Sequence, residues 1–297
     1  MNFKVLSSGI FTTIQDQGRY GYNHLGVTHS GVMDEYAYLW GQKLLHQKNI
    51  NALEVMVGLK LEVTSFTIIS VTGADLNFKI NGISQPIWQT HFIRRGDILS
   101  FGKRVSGQRA YLAVKGGFET EKKYGSYATT VKENIGSKLQ RGDVLNFKAY
   151  SKIATHRVQK KYIPDYKNPL TLRILLSYQE SYFNQEEKAN FFNSPYQITL
   201  QSDRMGFKLK GQTIYPHKGG IISEAIAFGS IQIPKDGQPI ILLKERQTIG
   251  GYPKMGTVLA VDCFKLAQVA MGEDVRFEPI NIDKAQNIMK NFCRNFI

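Results

Sequence analysis

The segment with the richest chemistry lies at residues 245–254, where charged side chains surround two adjacent glycines. Arg246 and Lys254 carry guanidinium and ammonium groups, which bind carboxylate or phosphate oxygens. Gly250 and Gly251 have no side chains, so a ligand can approach the backbone closely between the two cations. The segment lacks the Gly-Lys-Ser/Thr ending of a phosphate-binding loop, and no Rossmann glycine fingerprint follows a strand. It therefore predicts an anion-binding loop, without a nucleotide site built by this chain alone.

Two further segments place a carboxylate beside a guanidinium and a glycine. Asp16 and Arg19 lie in a Gln-Asp-Gln-Gly-Arg run, and Asp203 and Arg204 precede Gly206. Each pair has the groups to face a polar substrate. Each is also typical of a simple turn, because an Asp side chain can bond to its own backbone and a surface salt bridge adds little stability. Residue types alone leave both interpretations open.

The sequence gives little support for a metal site or for the active site of a serine hydrolase. The six histidines form no HxxxH or HxH cluster, and no Gly-x-Ser-x-Gly motif is present. Cys263 and Cys293 are the only cysteines, and neither has a companion ligand at metal-binding spacing. We therefore expect no metal centre, and two ordinary thiols in a reducing compartment.

Composition indicates a folded, cytoplasmic protein. The chain has 297 residues, of which 42% are hydrophobic and 21% charged, which is enough apolar content to bury a full core. The sequence has no uninterrupted apolar run of about 18 residues, so it predicts no membrane span. The net charge of +14 is densest at residues 148–173, but no recognition motif accompanies it. We interpret that stretch as a solvated linker and expect neither a nucleic-acid partner nor a membrane.

The elements that must position these groups are mainly short strands. Apolar runs broken by Gly, Asn and Asp predict a barrel or sandwich rather than alternating βαβ units. The predicted N-terminal strands cover residues 3–6, 59–64, 67–72, 76–80 and 110–114, and strands resume at 170–176.

Three helices are predicted between the strands. The first begins at the N-cap Asp34 and buries Ala37, Trp40, Leu44 and Leu45 on one face. A short helix covers residues 184–192, with acidic residues in its first turn. The last begins near Asp283, and its predicted buried residues are Ile288, Met289, Phe292 and Phe296.

A repeated pattern suggests two related domains. A Gly-acid turn followed by an apolar run occurs at residues 95–101 and 141–147 and, with one inserted residue, at 271–277. The second copy precedes the basic linker and the third precedes the C-terminal segment, as if each closed a domain of the same type. Two β-barrel-like domains with a boundary near residues 150–168 follow from this pattern.

The segments described above, together with several others, resemble the KipA family, whose members are also known as 5-oxoprolinase C subunits or as allophanate hydrolase subunit 2-like proteins. This family is related to the carboxyltransferase region of urea carboxylase. The resemblance extends from about Gly9 to Pro279. The matching blocks are residues 12–19, 31–34, 52–55, 72–75, 109–114, 116–117, 202–206, 222–224, 229–234, 236–239 and 246–254 without 249.

The resemblance implies a mainly β fold with a few helices, arranged as two cyclophilin-like β-barrel domains at residues 1–155 and 156–297. It implies a heteromeric, ATP-dependent 5-oxoprolinase that opens 5-oxo-L-proline to L-glutamate. The implied partners are two further polypeptides of that enzyme, one KipI-like and one LamB/YcsF-like. ATP is used by the complex, and Mg is expected from ATP chemistry rather than from ligands in this chain.

Within such an enzyme, the motifs assign roles to particular residues. Arg204, Arg246 and Lys254 are expected to bind the substrate carboxylate or a transferred phosphoryl group. Asp16 is the candidate acid or base, or orients Arg19. The remaining predicted substrate-binding residues are Gln15, Arg19, Asp203, Glu224, Gln247, Gly250, Gly251 and Tyr252.

Two departures from the family pattern and two alternative functions stay open. Tyr127 stands where relatives usually carry Arg, and Glu245 stands where Asp is usual. The same polar pocket would serve carboxyl transfer from carboxybiotin to urea or another amide, although this chain has no Met-Lys-Met biotinylation site. A regulatory protein that binds a KipI-like kinase inhibitor would need its interface but not the pocket.

Overall fold

The computed structural model describes residues 1–151, 155–166, 169–217 and 220–296. These residues form two compact units. Unit 1 comprises residues 1–20 and the described residues from 30 to 166, and unit 2 comprises residues 21–29 and the described chain beyond 166. The division expected between residues 155 and 156 stays a prediction, and nothing in the sequence indicated that residues 21–29 belong with unit 2.

Unit 1 is built from short strands and one α-helix, α1 (Glu35–Leu44). Single 3₁₀ turns lie at Val131–Glu133 and Lys160–Tyr162. The strands are β1 (Asn2–Ser8), β2 (Thr12–Gln15), β3 (Ala52–Val55), β4 (Leu59–Val63), β5 (Thr67–Asp75), β6 (Lys79–Ile80), β7 (Ile83–Ser84), β8 (Gln89–Ile93), β9 (Ile98–Ser100), β10 (Ser106–Val114) and β11 (Val144–Asn146).

The strands of unit 1 form two sheets around one apolar core. One sheet has the order β11-β1-β4-β9-β6-β7 and the other has the order β2-β3-β10-β5-β8. Alternate residues of β1 and β4, such as Phe3, Val5 and Leu61, are fully buried, as expected for strands with one face on a core. Strand β5 is buried along almost its whole length, because α1 covers the face that the core does not.

Helix α1 confirms the first helix prediction. The Asp34 carboxylate accepts a hydrogen bond from the Ala37 amide, so Asp34 is the N-cap. The predicted apolar stripe, which includes Trp40, is buried against unit 1. The Thr72 and Ser70 hydroxyls of β5 donate to carbonyls of α1, which fixes the helix on the sheet.

One strand prediction was wrong. Residues 76–80 were expected to form one strand, but β5 ends at Asp75 and only Lys79–Ile80 is extended. The Asp75 carboxylate accepts a hydrogen bond from the Asn77 amide, and Asn77 has φ of 52°. This local side-chain-to-backbone bond turns the chain where the apolar pattern alone predicts continuity.

Unit 2 contains three α-helices in its described residues, α2 (Gln185–Asn193), α3 (Ala260–Leu266) and α4 (Ile282–Arg294). Single 3₁₀ turns lie at Asn23–Leu25 and Glu180–Tyr182. Its strands are β12 (Leu170–Leu176), β13 (Tyr196–Ile198), β14 (Gly206–Gly211), β15 (Glu224–Ala225), β16 (Ser230–Gln232), β17 (Ile240–Leu242), β18 (Ile249–Gly250), β19 (Lys254–Val258) and β20 (Asp274–Pro279).

Seven strands of unit 2 close into a barrel in the order β12-β19-β16-β17-β14-β13-β20. The first and last of these strands in the sequence, β12 and β20, pair in parallel and complete the ring. Phe191 of α2 stacks on Phe277 of β20, with ring centroids 4.5 Å apart, and both side chains are buried. The short strands β15 and β18 form a separate two-stranded ribbon.

The helices of unit 2 agree with the sequence in position and differ in burial. Asn184 caps α2, as its predicted start requires. Helix α4 begins as predicted, but Ala285 is the buried residue and the four side chains expected in the core are only half-buried. The apolar face of α4 rests on the surface of the unit, where Phe292 contacts Phe264 at 5.5 Å between centroids. Helix α3 was not predicted.

The three Gly-acid repeats fold as the same turn, and each leads into a strand as predicted. Gly96, Gly142 and Gly272 all have positive φ, a conformation that favours glycine. In each copy the following acidic side chain accepts a hydrogen bond from a backbone amide three residues earlier, at 2.7–2.8 Å. The turns introduce β9, β11 and β20.

The fold class is mainly β with a few helices, as predicted, and unit 2 contains a closed barrel. None of the helices in the described ranges combines the length and apolar character that crossing a membrane requires.

Candidate functional site

The ribbon β15–β18 and the start of strand β19 position the main candidate site in unit 2. Glu224 of β15 pairs with Gly250 of β18, and the chain then returns through residues 251–253 to enter the barrel at Lys254. This path brings the Lys254 ammonium against the Glu224 Oε1 atom in an ion pair. Two predicted site residues, 30 positions apart in the sequence, are therefore in direct contact.

Two side chains that follow strand β12 complete this group. The Gln179 amide donates to Glu224 Oε1 at 2.8 Å, and the Tyr178 hydroxyl donates to Glu224 Oε2. Gln179 Oε1 accepts the backbone amide of Lys254 at 2.9 Å, so one side chain fixes both members of the ion pair. We call Tyr178, Gln179, Glu224 and Lys254 the lysine–glutamate cluster.

The cluster joins a buried cation to a more accessible anion. The Lys254 side chain is 9% exposed and that of Glu224 is 33% exposed. The hydrogen bond from Lys254, followed by that from Tyr178, holds the pKa of Glu224 below its usual range. The hydrogen bond to Glu224 raises the pKa of Tyr178. At neutral pH the cluster therefore contains a Glu224 carboxylate and a neutral Tyr178 phenol.

Gln232 of β16 lies beside the cluster and was not predicted from the sequence. Its side chain is buried, and its Nε2 atom has no hydrogen-bond partner in the part of the chain that the structure describes. A methyl group added at Gly250 would lie 2.6 Å from this nitrogen, so Gly250 makes the room that the amide occupies. A buried donor without a partner is costly, which makes Gln232 a candidate to bind an acceptor from a ligand.

Arg246 occupies a buried position and is held largely by backbone oxygens. Its Nε donates to the Ile226 carbonyl at 2.9 Å, and its Nη1 donates to the Leu243 carbonyl at 3.2 Å. Its Nη2 lies 3.2 Å from His29 Nδ1. Because a guanidinium can only donate, Nδ1 accepts and the proton of the neutral imidazole lies on Nε2. Burial, and then the charges of Arg246 and Lys244, lower the pKa of His29.

Asp203 and Arg204 lie in the turn between β13 and β14. Arg204 Nε contacts Glu245 Oε1 at 2.5 Å, and both side chains are buried. The longer side chain of Glu245, in the position where relatives usually carry Asp, reaches this guanidinium directly. Asp203 Oδ1 accepts the Met205 amide at 2.7 Å, as in a simple Asp turn.

The remaining predicted residues of unit 2 lie along the outer part of the ribbon. Gln247 and Tyr252 are exposed, and Gly251 is half-exposed next to Ser223. The Gly251 carbonyl accepts the Ile221 amide at 3.2 Å, which ties the end of the ribbon to residues 220–223.

In unit 1, Asp16 fixes the loop at residues 126–130. Its Oδ1 accepts the Gly18 amide at 2.8 Å and the Ser126 hydroxyl at 2.6 Å, and its Oδ2 accepts the Tyr127 amide at 2.8 Å. The side chain is buried. Three donors of the protein itself occupy the carboxylate, and the acid–base role expected for Asp16 stays a prediction.

Arg19 and Gln15 bind the same loop. The Arg19 guanidinium donates to the Thr130 hydroxyl at 2.7 Å and to the Ala128 carbonyl, and Arg19 is only 1% exposed. The Gln15 amide donates to the Thr129 carbonyl at 3.0 Å. Tyr127, where relatives usually carry Arg, has the Lys122 ammonium 5.0 Å from its ring centroid, so a cation is still present beside this loop.

The sequence motifs thus separate into two groups. Asp16, Arg19 and Gln15 lie in unit 1, and the other predicted residues lie in unit 2. Sequence reasoning missed Tyr178 and Gln179, which follow strand β12 outside any matching block, and Gln232, which lies in the matching block 229–234 but was given no role. The sequence gives only a weak signal for such residues, because a functional buried amide can be recognised only when its hydrogen-bond partners are known.

In the described ranges, no group of three or more His, Cys, Asp or Glu side chains is arranged to hold a metal ion.

Comparison with known proteins places this fold in a defined class. The family model "Carboxyltransferase domain, subdomain A and B" matches residues 25–279. The chain therefore belongs to the carboxyltransferase domain family, and the resemblance inferred from the motifs is confirmed.

Its relatives include stand-alone subunits and parts of larger enzymes. The chain is 32% identical to the C subunit of 5-oxoprolinase from Haemophilus influenzae, covering 94% of this chain and 91% of that protein. It is 28% identical to the C subunit of 5-oxoprolinase from Escherichia coli, covering 99% of this chain and 96% of that protein. It is 26% identical to urea amidolyase of Saccharomyces cerevisiae, but there it covers only 17% of the relative.

Solved structures confirm the fold across both units. The urea carboxylase of Kluyveromyces lactis superposes with a TM-score of 0.92 at 25% identity, covering 99% of this chain and 29% of that one. The urea amidolyase of the same yeast gives the same TM-score, and the chain covers 20% of it. The chain thus spans about a fifth to a third of these two multidomain enzymes.

Proposed function

We propose that this chain is one component of a heteromeric, ATP-dependent 5-oxoprolinase that hydrolyses 5-oxo-L-proline to L-glutamate. The observation that carries the proposal is the match to the C subunit of 5-oxoprolinase from H. influenzae over 94% of this chain and 91% of the relative. The partners we propose are a KipI-like protein and a LamB/YcsF-like protein, in a cytoplasmic complex.

The lysine–glutamate cluster has the groups that a small lactam acid needs. The substrate carries a carboxylate, a carbonyl oxygen and an amide N–H. An ammonium has three N–H donors, and Lys254 directs one of them at Glu224. The other donors can bind the carboxylate or the carbonyl oxygen, where negative charge develops during attack on the carbonyl carbon.

Glu224 supports recognition of the lactam N–H. A carboxylate has about four acceptor positions, and the cluster fills three of them, two at Oε1 and one at Oε2. The position left at Oε2 suits the lactam N–H. Gln232 offers a further buried N–H donor at Gly250. In the net reaction the C–N bond of the lactam breaks, and water supplies the hydroxyl to carbon and the proton to nitrogen.

The three cationic residues predicted for the site already have partners within the protein. Arg204 contacts Glu245, Arg246 contacts two carbonyls, and Lys254 contacts Glu224. We therefore assign binding of ATP, with its magnesium, to the partner proteins, and we derive no step in this chain through the nucleotide.

Carboxyl transfer to an amide is the second candidate function. It is favoured by the name of the matched family and by the TM-score of 0.92 to urea carboxylase. The same cluster would then bind an amide or urea as the acceptor of the carboxyl group. The full-length match to stand-alone 5-oxoprolinase subunits favours 5-oxoprolinase over this alternative.

Reconstitution tests the proposal. Glutamate release from 5-oxo-L-proline and ATP is measured for this chain alone, for the two partners, and for all three proteins together. We expect release only from the complete mixture. The Lys254→Met variant should lower this activity by about 100-fold or more, as for loss of one strong electrostatic donor.

Lys208→Met is the matched control, since Lys208 forms an exposed ion pair with Asp236 at 3.6 Å in the same unit. Its activity should stay within about twofold of the wild type, because exposed pairs contribute little. An assembled ternary complex without glutamate release would contradict the proposal. Biotin-dependent carboxylation by the same chain would establish the second candidate instead.

A further inference from the structure

Two histidines of unit 1 that are 110 residues apart in sequence meet at the surface of that unit. His46 follows helix α1, and His156 lies in the described segment 155–158. Their Nε2 atoms are 3.1 Å apart, and the rings meet edge to face with centroids 4.5 Å apart. No sequence motif reveals the pair, because the two residues belong to separate elements.

Backbone hydrogen bonds hold both histidines in position. The His156 amide donates to the Thr90 hydroxyl, and the His156 carbonyl accepts the Thr90 amide, both at 2.9 Å. On the other side, His46 adopts φ of 48°, and its amide donates to the Lys43 carbonyl at 3.0 Å. Lys115 Nζ donates to the carbonyls of Leu45 and His46. The two rings therefore start from fixed backbones.

The separation of the two nitrogens fits one shared metal ion. Histidine nitrogens bind zinc at about 2.0–2.1 Å, so two ligands at roughly tetrahedral angles lie about 3.0–3.4 Å apart. Both nitrogens are Nε2 atoms, and each carries a lone pair when the proton of the neutral imidazole is on Nδ1. Without a metal, the same distance is a hydrogen bond in which one ring donates its proton to the other.

We propose that His46 and His156 form a surface site for one divalent transition-metal ion that prefers imidazole, such as Cu²⁺, Ni²⁺ or Zn²⁺. Water completes the coordination. Imidazole suits these ions, whereas magnesium and calcium require oxygen ligands.

The bound ion would link the end of α1 to the segment 155–158. That segment packs along β8, where the Val158 amide donates to the Trp88 carbonyl at 2.9 Å and Val158 is buried. An ion that binds the folded unit and not the unfolded chain raises stability in proportion to the logarithm of its concentration. This inference is independent of the proposed enzymatic function.

The test uses the full chain freed of metal with a chelator. Calorimetric titration with Cu²⁺, Ni²⁺, Zn²⁺ and Mg²⁺ should show one site for the first three, in the affinity order Cu²⁺ above Ni²⁺ and Zn²⁺, and none for Mg²⁺. Electron paramagnetic resonance of the Cu²⁺ form should show coupling to two nitrogens. His46→Asn keeps a residue that tolerates positive φ, and His156→Gln replaces the imidazole with an uncharged polar side chain.

Each variant should weaken Cu²⁺ binding by about tenfold or more, equivalent to about 1.4 kcal/mol. His24→Asn is the control, since His24 is an exposed histidine of unit 2, and it should bind as the wild type does. Binding that the double variant retains, or a single nitrogen in the copper spectrum, would overturn the proposal. Absence of binding by correctly folded wild-type protein would overturn it as well.

Discussion

Two carboxylates of this molecule, Asp16 in unit 1 and Glu224 in unit 2, were both predicted as site residues and have different surroundings. Asp16 is 7% exposed and accepts two backbone amides and one hydroxyl. The Glu224 side chain is 33% exposed and accepts only from the side chains of Lys254, Gln179 and Tyr178 among its described hydrogen bonds. The source of the donors, rather than the motif, distinguishes the two sites.

The difference has a physical meaning. Backbone amides that converge on a carboxylate are fixed by the fold, so Asp16 holds its loop together and has little freedom to exchange a donor for a substrate. Side-chain donors can rotate, and a half-exposed carboxylate can accept one more. Glu224 therefore combines a charge fixed by Lys254 with room for a ligand.

The largest effect that sharpens this comparison is expected from Asp16→Asn. The side-chain amide of the new Asn would direct an N–H at one of the three donors that now bond to Asp16, and the negative charge would be lost. The free energy of unfolding should therefore fall by about 2 kcal/mol. Urea unfolding, followed by circular dichroism, measures the change. Asp236→Asn, an exposed partner of Lys208, should have an effect near zero. Unchanged stability with lost activity would restore the catalytic role for Asp16.

A smaller effect is expected when the space beside Gln232 is filled. The added methyl of Gly250→Ala would lie 2.6 Å from both Gln232 Nε2 and Ile226 Cδ1, and the amide must move aside. We expect kcat/KM of the reconstituted enzyme to fall by about tenfold, or about 1.4 kcal/mol in transition-state binding.

Gly251→Ala is the matched control, since its nearest contacts would be 3.2 and 3.3 Å. It should retain activity within about twofold. Equal losses in the two variants would show that the ribbon is sensitive to any side chain and that Gln232 has no special role.

The smallest effect concerns the pH response of His29. Burial and the nearby Arg246 lower its pKa, so the folded state binds a proton less readily than the unfolded chain. The stability that the neutral His29 imidazole contributes is fully present above the ordinary histidine pKa. It is lost as the pH falls from that value through the pKa that His29 has in the folded state. Nuclear magnetic resonance titration of the His29 imidazole should give a pKa below the ordinary histidine value. Arg246→Gln should raise it, and no rise would show that the two groups are not coupled.

Much of the fold could be predicted because its signals are local. Alternating apolar residues predicted β1, β4 and β10, and Asp34 predicted the start of α1 through its capping carboxylate. The strand at residues 76–80 failed because one Asp side chain captured a backbone amide and turned the chain. The extra helix α3 carries no N-cap side chain, so its start lacked the usual signal.

The site was less predictable because its contacts join distant residues. The motifs identified Lys254 and Glu224 but could not distinguish them from Asp203 or Arg204, whose bonds are made within a turn or to Glu245. Gln179 reaches both Lys254 and Glu224 from 75 and 45 residues away. Such contacts depend on how the barrel closes, which no local pattern encodes.

The pairing of β12 with β20 also governs how unit 2 can be made. Leu170 aligns with Val275, so the ring closes only after about a hundred intervening residues have been synthesised. Until then, β12 and β13, which both pair with β20, expose unpaired backbone groups that can associate with other chains. Contacts between such distant residues also slow folding. A nascent chain that stalls before β20 would therefore have two unpaired strand edges. Chaperones, rather than the sequence already translated, would then have to keep it from associating with other chains.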